Sequence, residues 1–334
     1  MGRVEAQPEV RNLSTTKRLM PNPGLAVEKM QEAVNAVEQH GGTHKASLAL
    51  GINSSTLRNR YLKGIQAGMK PTTRREYKQV YQSEKLGRVH MVIPDIQAKP
   101  GVPNDHLRWI ANYALEKRPD VIVQIGDWAD MHSLSLYDKG KRCYEGRRYT
   151  KDIEAANDSL ALFEGVIEDY NRANPHTPYN PRKVITFGNH EFRIIRATQL
   201  DPAMDGKLTL EDLDFARRGW ECYPFLEVVN IDGIEYSHYF ISGNMGRPVS
   251  SAAALLKARN CSATMGHTQF FDMAVHRQTQ HIGLLAGVCY LHDEEYLTPQ
   301  GNSTRRQLVM KHEVENGRYD PMFVSLRFLQ KRYS

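Results

Sequence analysis

The sequence contains few cysteines. Only four of its 334 residues are cysteine, at positions 143, 222, 261 and 289, and no two of them form a C-x-x-C pair. This scarcity argues against a disulfide framework and against a zinc ribbon, and it is typical of proteins from a reducing cytoplasm. We therefore expect a cytoplasmic protein.

Long apolar runs are also absent. No stretch approaches the ~20 apolar residues that a membrane-spanning helix needs, and Met1–Glu5 do not begin a segment that resembles a signal peptide. We therefore expect no membrane partner. Hydrophobic residues still make up 40% of the chain, which supports a sizeable core, and 334 residues suit one large domain plus a small one.

The positive charge is unevenly distributed along the chain. Residues 1–87 hold 14 of the 44 basic and 7 of the 38 acidic residues, so they carry a net charge of +7, whereas the remainder carries −1. A basic segment attached to a nearly neutral domain indicates a polyanionic partner, DNA above all. The alternative is a solvated basic tail that only aids solubility.

Five short polar motifs lie between residues 95 and 269, and an apolar run precedes each one. They are Asp95-Ile-Gln97, Gly126-Asp127-Trp-Ala-Asp130, Gly188-Asn189-His190-Glu191, Tyr236-Ser-His238 and Gly266-His267-Thr-Gln269. The runs before the first three are short and rich in β-branched residues, as strands of a layered α/β fold are. Carboxylates, amides and imidazoles at several strand exits meet along one edge of such a fold. The sequence therefore predicts a metal site there, and a two-metal site fits best.

In these motifs the chain resembles the calcineurin-like metallophosphoesterases. Their pattern is D-x-H, G-D-x-x-D, G-N-H-D/E, a later His and G-H-x-H, and all five blocks occur here in that order, over residues 88–329. The resemblance implies a two-sheet α/β sandwich and hydrolysis of phosphate esters with two divalent metal ions. Some phage-encoded members look closer still, because they also carry Gln at two ligand positions. A phage-encoded protein would act in the host cytoplasm.

The resemblance implies two ligand sets that share Asp127. One set consists of Asp127, Asn189, His238 and His267, and the other of Asp95, Gln97, Asp127 and Gln269. Gln97 and Gln269 stand where the family has histidine, so the second set offers only oxygen. Such oxygens suit Mn²⁺ or Mg²⁺ better than Zn²⁺, whereas Mn²⁺, Fe²⁺ or Zn²⁺ fits the first set. The alternative is a degenerate second site and an impaired enzyme.

The resemblance gives His190 a different role. The His of the G-N-H block faces the phosphate and acts as the general acid for the leaving oxygen, and Asp130 would orient it. A departing alkoxide needs a proton, and imidazole titrates near neutral pH. Three arginines after the second motif could also contact phosphate, or could belong to a solvated loop. They are Arg142, Arg147 and Arg148.

The basic N-terminal segment has the pattern of a helix-turn-helix. Leu25–Gln39 has apolar residues, Val27 among them, at helical spacing, and Thr43 could cap a second helix over His44–Leu50. After a turn at Gly51, a cap at Ser54–Thr56 would begin a third helix that faces DNA. The residues predicted to face DNA are Ser54, Ser55, Thr56, Arg58, Asn59 and Arg60. Helical hairpins that only dimerise look similar, so a homo-oligomer stays open.

The domain organisation follows from these patterns. We predict a flexible N-terminus over residues 1–21 and a helix-turn-helix-like domain over 22–69. A linker over 70–87 then leads to a metallophosphoesterase domain over 88–334.

Three functions are compatible with the sequence. The first is a metal-dependent phosphoesterase that hydrolyses phosphodiester bonds in nucleic acid. The second is a phosphomonoesterase for small phosphate compounds or phosphoproteins. The third is a DNA-binding or assembly protein whose phosphoesterase domain is impaired. The first two differ in the ester they cleave, and the third is excluded by turnover that Asp127→Asn abolishes.

Removal of residues 1–87 should separate binding from catalysis. We expect hydrolysis of a small aryl phosphate ester to stay nearly intact, whereas binding of duplex DNA weakens and depends less on salt, because the basic excess lies in the removed segment. Fluorescence anisotropy of the full and the truncated chain at several salt concentrations measures this. If both bind duplex DNA equally well at equal salt, the helix-turn-helix assignment is wrong.

Overall fold

The computed structural model describes residues 23–72, 87–294 and 301–334. The predicted N-terminal segment over 1–21 and most of the predicted linker over 70–87 lie outside these described residues. The chain divides into two compact units, one within residues 1–81 and the other within residues 82–334.

The first unit contains three helices, α1 (Pro23–His40), α2 (Thr43–Leu50) and α3 (Ser54–Gln66). Small and apolar side chains form its core, and the fully buried members are Ala33, Ala36, Ala46 and Leu57. Val27, which lies on the predicted apolar face of α1, is 49% exposed. The apolar periodicity of α1 therefore begins before the part of the helix that packs in this core.

The starts of α2 and α3 correct two capping predictions. Thr43 is already helical, and Gly42 before it makes no side-chain cap. The cap of α3 is Asn53 rather than a residue of Ser54–Thr56, because its Oδ1 accepts a hydrogen bond from the N–H of Ser55 at 3.0 Å. Asn, Asp and Ser cap helices about equally well, so the sequence alone did not decide between neighbouring candidates.

The second unit contains two main sheets and five helices in its described residues. The strands are β1 (Arg88–Ile93), β2 (Val121–Gln124), β3 (Arg182–Thr186), β4 (Glu221–Tyr223), β5 (Val229–Ile231), β6 (Ile234–Tyr236), β7 (Ile241–Ser242), β8 (Arg247–Pro248), β9 (Ser262–Met265), β10 (Phe271–Val275), β11 (Ile282–Ala286), β12 (Gln307–Glu315) and β13 (Arg318–Ser325). The helices are α4 (His106–Lys117), α5 (Tyr149–Ala173), α6 (Phe192–Leu200), α7 (Ala252–Arg259) and α8 (Leu326–Tyr333).

The strand order places parallel strands at the centre of both sheets. The six-stranded sheet has the order β13-β12-β1-β2-β3-β4, in which β1 to β4 run parallel to one another and β12 is antiparallel to β1 and to β13. The five-stranded sheet has the order β10-β11-β9-β6-β5, with β6, β9 and β11 parallel. Strands β7 and β8 form a separate antiparallel pair. The fold is the predicted two-sheet α/β sandwich, preceded by an all-helical unit.

Side chains of β1 show how the layers are built, because successive residues of a strand face opposite sides of the sheet. Met91 and Ile93 pack with α4 and α5 in one core cluster, and Val92 between them packs with the five-stranded sheet in another. Leu255 of α7 packs on the outer face of the five-stranded sheet. The layers therefore follow the order helices, sheet, sheet, helix.

The β5–β6 hairpin turns at Asp232 and Gly233. Both residues have positive φ, 52° and 85°, which is the backbone of a two-residue type I′ turn. Gly233 also packs against a second turn, since a Cβ here would lie 2.7 Å from the carbonyl carbon of Asn316 and closer still to the nitrogen of Gly317. This position therefore requires glycine for its φ and for its packing.

Substitution of Gly233 by alanine should be more costly than the same change at Gly206. Gly206 also has a positive φ, 77°, but a Cβ there would meet nothing within 4 Å. We expect Gly206→Ala to cost about 1 kcal/mol of unfolding free energy, and Gly233→Ala about 1–3 kcal/mol more because of the steric overlap. Denaturant unfolding of both variants measures the difference. Equal losses of unfolding free energy would show that the turn at Asn316 and Gly317 can move aside without a cost in stability.

Candidate metal centre

The polar motifs meet where strands of both sheets end. Asp95, Asp127 and Asn189 follow β1, β2 and β3, which are neighbouring parallel strands. His238 and His267 follow β6 and β9, the central parallel pair of the other sheet. Because parallel strands end at the same edge, the fold places five of the seven predicted ligands in one region.

Four of these side chains converge on a small space. Oδ1 of Asn189 lies 2.8 Å from Nε2 of His238 and 2.7 Å from Nδ1 of His267, and these two nitrogens are 3.2 Å apart. Oδ2 of Asp127 is 3.4 Å from Nε2 of His238. Potential ligand atoms of Asp127, His238 and His267 all lie within 4.8 Å of one another. These residues could therefore hold a metal ion.

The ring of His238 is oriented for a cation. Its Nδ1 lies 2.9 Å from the carbonyl oxygen of Ile125, so Nδ1–H donates there and Nε2 is the ring nitrogen that faces the pocket. Burial alone would lower the pKa of His238, but the carboxylates of Asp127 and Asp95 outweigh it and raise that pKa to about 9. The surrounding negative charge therefore favours a positive species at this position.

The residues predicted as the second ligand set include buried polar atoms that lack a hydrogen-bond partner. These are Oδ2 of Asp95 and both amide atoms of Gln97, each in a side chain at most 1% exposed. Such atoms are rare in proteins and need an explanation. Burial and the charge of Asp127 also raise the pKa of Asp95 to about 7. A divalent cation beside Asp95 would satisfy these oxygens, so the residues fit a metal here as well.

Gln97 and Gln269 are held by neighbouring loops. The N–H of Gln97 donates to the carbonyl oxygen of Asp127 at 2.8 Å. Oε1 of Gln269 accepts a hydrogen bond from the hydroxyl of Tyr290 at 3.2 Å, so a metal at this oxygen would share it with that hydroxyl. An oxygen that already accepts a hydrogen bond is a weaker ligand than an imidazole nitrogen would be.

Several predicted ligands have a left-handed backbone, which side chains other than glycine rarely adopt. They are Gln97, Asp127, His267 and Gln269, with φ of 47°, 53°, 64° and 59°. Such a conformation costs on the order of 1–3 kcal/mol per residue and is concentrated at functional sites. The motif loops therefore bring these side chains together at a cost in stability.

Two motif glycines leave room for the acidic side chains. A Cβ on Gly188 would overlap Oδ1 of Asp127, and a Cβ on Gly266 would overlap Oδ1 of Asp95. Neither glycine has a positive φ, so the requirement at these two positions is steric. These contacts explain why the G-N-H and G-H motifs begin with glycine.

Glu191 connects two of the motif loops. Its fully buried carboxylate accepts hydrogen bonds from the N–H groups of Asp127 at 3.0 Å, Gly188 at 2.8 Å and Ala129 at 2.8 Å. These three bonds give Glu191 a role in supporting the loops rather than a chemical one. The carboxylate fixes the loop after β2 against the loop after β3.

His190 lies beside Asp127 and Asp130. Its Nδ1 is 2.9 Å from Oδ1 of Asp130, and its backbone N–H donates to Oδ1 of Asp127 at 3.0 Å. Burial alone would lower the pKa of His190, but the charges of Asp127 and Asp130 outweigh it and raise that pKa. Nε2 lies on the side of Asp127, 3.7 Å from its Oδ2.

Arg193 is a site residue that the sequence reasoning missed. Its Nη2 lies 3.0 Å from Nε2 of His190, and its Nη1 donates to the carbonyl oxygen of Asp130 at 2.7 Å. Arg193 follows His190 by three residues, but His190 precedes α6, so helical spacing alone does not place the two side chains together.

The three loop arginines differ in their surroundings. Arg147 is paired with Asp138 at 2.8 Å and donates to the carbonyl oxygen of His132. Arg148 is exposed and donates to the carbonyl oxygen of Arg147, and Arg142 is exposed. Arg147 is therefore already engaged within its own loop, whereas Arg142 and Arg148 extend towards solvent.

The predicted DNA-facing residues lie on the outer side of the first unit. Ser54, Ser55, Thr56, Arg58 and Asn59 are exposed, Arg60 is half-buried, and Leu57 among them is fully buried. Leu57 thus places part of α3 in the core, and five of the six side chains predicted to face DNA are exposed.

Comparisons with known proteins identify the first unit most clearly. Residues 27–69 match the family model described as helix-turn-helix, Psq domain. No curated protein matches the chain. Among the residues that the structure describes, no helix combines the length and the apolar character needed to cross a membrane.

Solved structures similar to this chain include two from other organisms. One is a conserved uncharacterized protein, a predicted phosphoesterase, from Streptococcus pneumoniae TIGR4. It shares 10% identity and a TM-score of 0.33, and the match covers 73% of this chain and 92% of that one. The other is wild-type Vps29 complexed with zinc from Entamoeba histolytica. It is 11% identical to this chain with a TM-score of 0.30, and the match covers 71% of this chain and 99% of that one.

The two glutamines generate a prediction about metal affinity. We expect one tight and one weak metal equivalent in the wild type, with Mn²⁺ or Mg²⁺ preferred over Zn²⁺ at the weak site. Gln97→His with Gln269→His should tighten the second equivalent by roughly tenfold or more and favour Zn²⁺ or Fe²⁺, because imidazole is the better and softer ligand. Titration calorimetry and metal analysis measure both.

The control adds two histidines elsewhere, at the exposed positions Gln199 and Gln330, and should leave both affinities unchanged. Two equally tight equivalents in the wild type, or no effect of the double change at Gln97 and Gln269, would mean that these glutamines are not ligands.

Proposed function

We propose that this chain is a metal-dependent phosphoesterase of the calcineurin-like type that hydrolyses phosphodiester bonds in nucleic acid. The observation that carries this proposal is the convergence of Asp127, Asn189, His238 and His267 beside the paired side chains of His190 and Asp130. All six belong to the motifs that resemble that family, and their arrangement suits the roles that the resemblance implies.

In this proposal two adjoining groups of residues hold divalent ions. Asp127, Asn189, His238 and His267 hold one, and Asp95, Gln97, Asp127 and Gln269 hold the other, with Mn²⁺ or Mg²⁺ at the second. The chemistry that such ions supply is Lewis acidity towards phosphoryl oxygens and a lowered pKa of water. The second set contains two glutamines, as in some phage-encoded members of the family. Its oxygen ligands make a metal site that prefers harder ions and binds them more weakly.

The protein residues supply the proton transfer. In this proposal Asp130, whose Oδ1 lies 2.9 Å from Nδ1 of His190, orients the ring, so that Nε2 is the ring atom available to the oxygen that leaves phosphorus. Phosphodiester hydrolysis by direct attack of water needs a proton on that oxygen, and general acid catalysis by a positioned imidazole typically contributes ~10²–10⁴-fold. This scheme implies no covalent enzyme intermediate.

Three observations support nucleic acid as the substrate class. The first unit matches a helix-turn-helix model, the basic excess of the chain lies within residues 1–87, and the predicted DNA-facing side chains of α3 are mostly exposed. A DNA-binding unit would raise the local concentration of phosphodiester at the second unit.

The test of this function is a substrate panel on the full-length protein. An aryl phosphodiester, the matching monoester and duplex and single-stranded DNA are each supplied with Mn²⁺, Mg²⁺ or Zn²⁺. We expect cleavage of the diesters, abolished by Asp127→Asn. Cleavage of the monoester alone would favour a phosphomonoesterase, and no turnover with any substrate would favour a DNA-binding protein with an impaired second unit.

Replacing His190 with alanine tests the proton transfer. We expect turnover of an alkyl phosphodiester to fall by ~10²–10⁴-fold, with metal content near that of the wild type. An aryl phosphodiester with an activated leaving group should lose less, because its leaving oxygen needs little protonation. Steady-state rates on both esters measure the contrast, and an unchanged rate with the alkyl ester would rule out His190 as the general acid.

A further inference from the structure

Arg193 occupies an unusual position beside the candidate metal centre. Its side chain is 13% exposed, and it follows the G-N-H-E motif in the first turn of α6. Nη1 donates to the carbonyl oxygen of Asp130 at 2.7 Å and lies 3.4 Å from the carbonyl oxygen of Met131. These contacts hold one edge of the guanidinium and leave Nη2 directed at Nε2 of His190, 3.0 Å away.

The contact between Arg193 and His190 has only one possible direction. A guanidinium has donors and no acceptor, so Nη2–H must donate and Nε2 of His190 must accept. The same ring directs Nδ1 at Asp130. The nitrogen that the proposed mechanism needs for the leaving oxygen is therefore covered by a guanidinium in this structure.

Other cations close to Asp130 already have their own carboxylates. Lys99 lies 2.8 Å from Glu294 but 3.8 Å from Asp130. Arg147 is paired with Asp138. Arg193 approaches no carboxylate in the described residues more closely than 3.4 Å, its distance from Oδ1 of Asp130. Its guanidinium is thus the least neutralised of these three cations.

We propose that Arg193 is the phosphate-binding residue of this site and that its Nη2 exchanges Nε2 of His190 for an oxygen of the substrate phosphoryl group. Charged phosphate oxygens are stronger acceptors than a neutral ring nitrogen, and the planar guanidinium matches their geometry. The exchange frees Nε2 of His190 to bind a proton from solvent, which a general acid must carry, and to face the leaving oxygen, while Nη1 stays bonded to the loop. This inference rests on the proposed function, because it assumes that the ligand is a phosphate ester.

The test measures binding of inorganic phosphate to the full-length protein with Mn²⁺, by titration calorimetry. We expect Arg193→Ala and Arg193→Gln to weaken phosphate binding by roughly tenfold or more, as for the loss of a hydrogen bond to a charged group. The KM for an aryl phosphodiester should rise with it, while Mn²⁺ content stays unchanged. Arg196→Ala, one turn further along α6 and half-buried, should bind phosphate as the wild type does.

The outcomes separate this inference from the proposed function. If both Arg193 variants bind phosphate like the wild type and only kcat falls, the residue merely holds the Asp130 loop and the inference is wrong. Arg193→Gln can still donate a hydrogen bond to that loop. Its phosphate affinity therefore tests the inference if the alanine variant does not fold. Absence of phosphate binding by the wild type at millimolar phosphate would also overturn the inference. Phosphate binding without turnover of any ester would contradict the proposed function alone.

Discussion

The buried carboxylate of Asp127 is the constraint on which the rest of the second unit depends. It is 2% exposed, and an uncompensated charge at such a position is costly. The fold compensates it from several directions. The N–H of His190 donates to Oδ1, and Nε2 of His238 lies near Oδ2. Its own backbone accepts the N–H of Gln97 and donates to Glu191. The loops after β1, β2 and β3 are therefore arranged around one anion, and they bring the other polar side chains with them.

Much of this arrangement was predictable because two simple rules act together. Short β-branched runs form strands, and the strands around Val92 and Val123 are parallel neighbours whose ends coincide. The polar residue after each run is then placed at the same edge. The type I′ turn at Asp232–Gly233 was predictable from the Asp-Gly dipeptide, because local chemistry alone determines this turn.

Other features could not be predicted because they depend on tertiary contacts. The contact between Nη2 of Arg193 and the ring of His190 exists only because α6 begins where it does, and helix starts are poorly defined by sequence. The cap at Asn53 was one of several equivalent polar residues. The unpartnered amide of Gln97 depends on burial, which no motif reveals. The sequence therefore indicated which residues lie close together, but not which hydrogen-bond partner each polar group has.

The central claim is that the space between Asp127, Asn189, His238 and His267 holds a divalent ion. Anomalous diffraction from crystals grown with Mn²⁺ tests it most directly, because it locates the ion independently of any activity. The account predicts a strong peak within bonding distance of Asp127 and of the two ring nitrogens, Nε2 of His238 and Nδ1 of His267. A weaker peak beside Asp95 should appear only at higher Mn²⁺ concentration. A strong peak elsewhere, or none at these residues, would contradict the account.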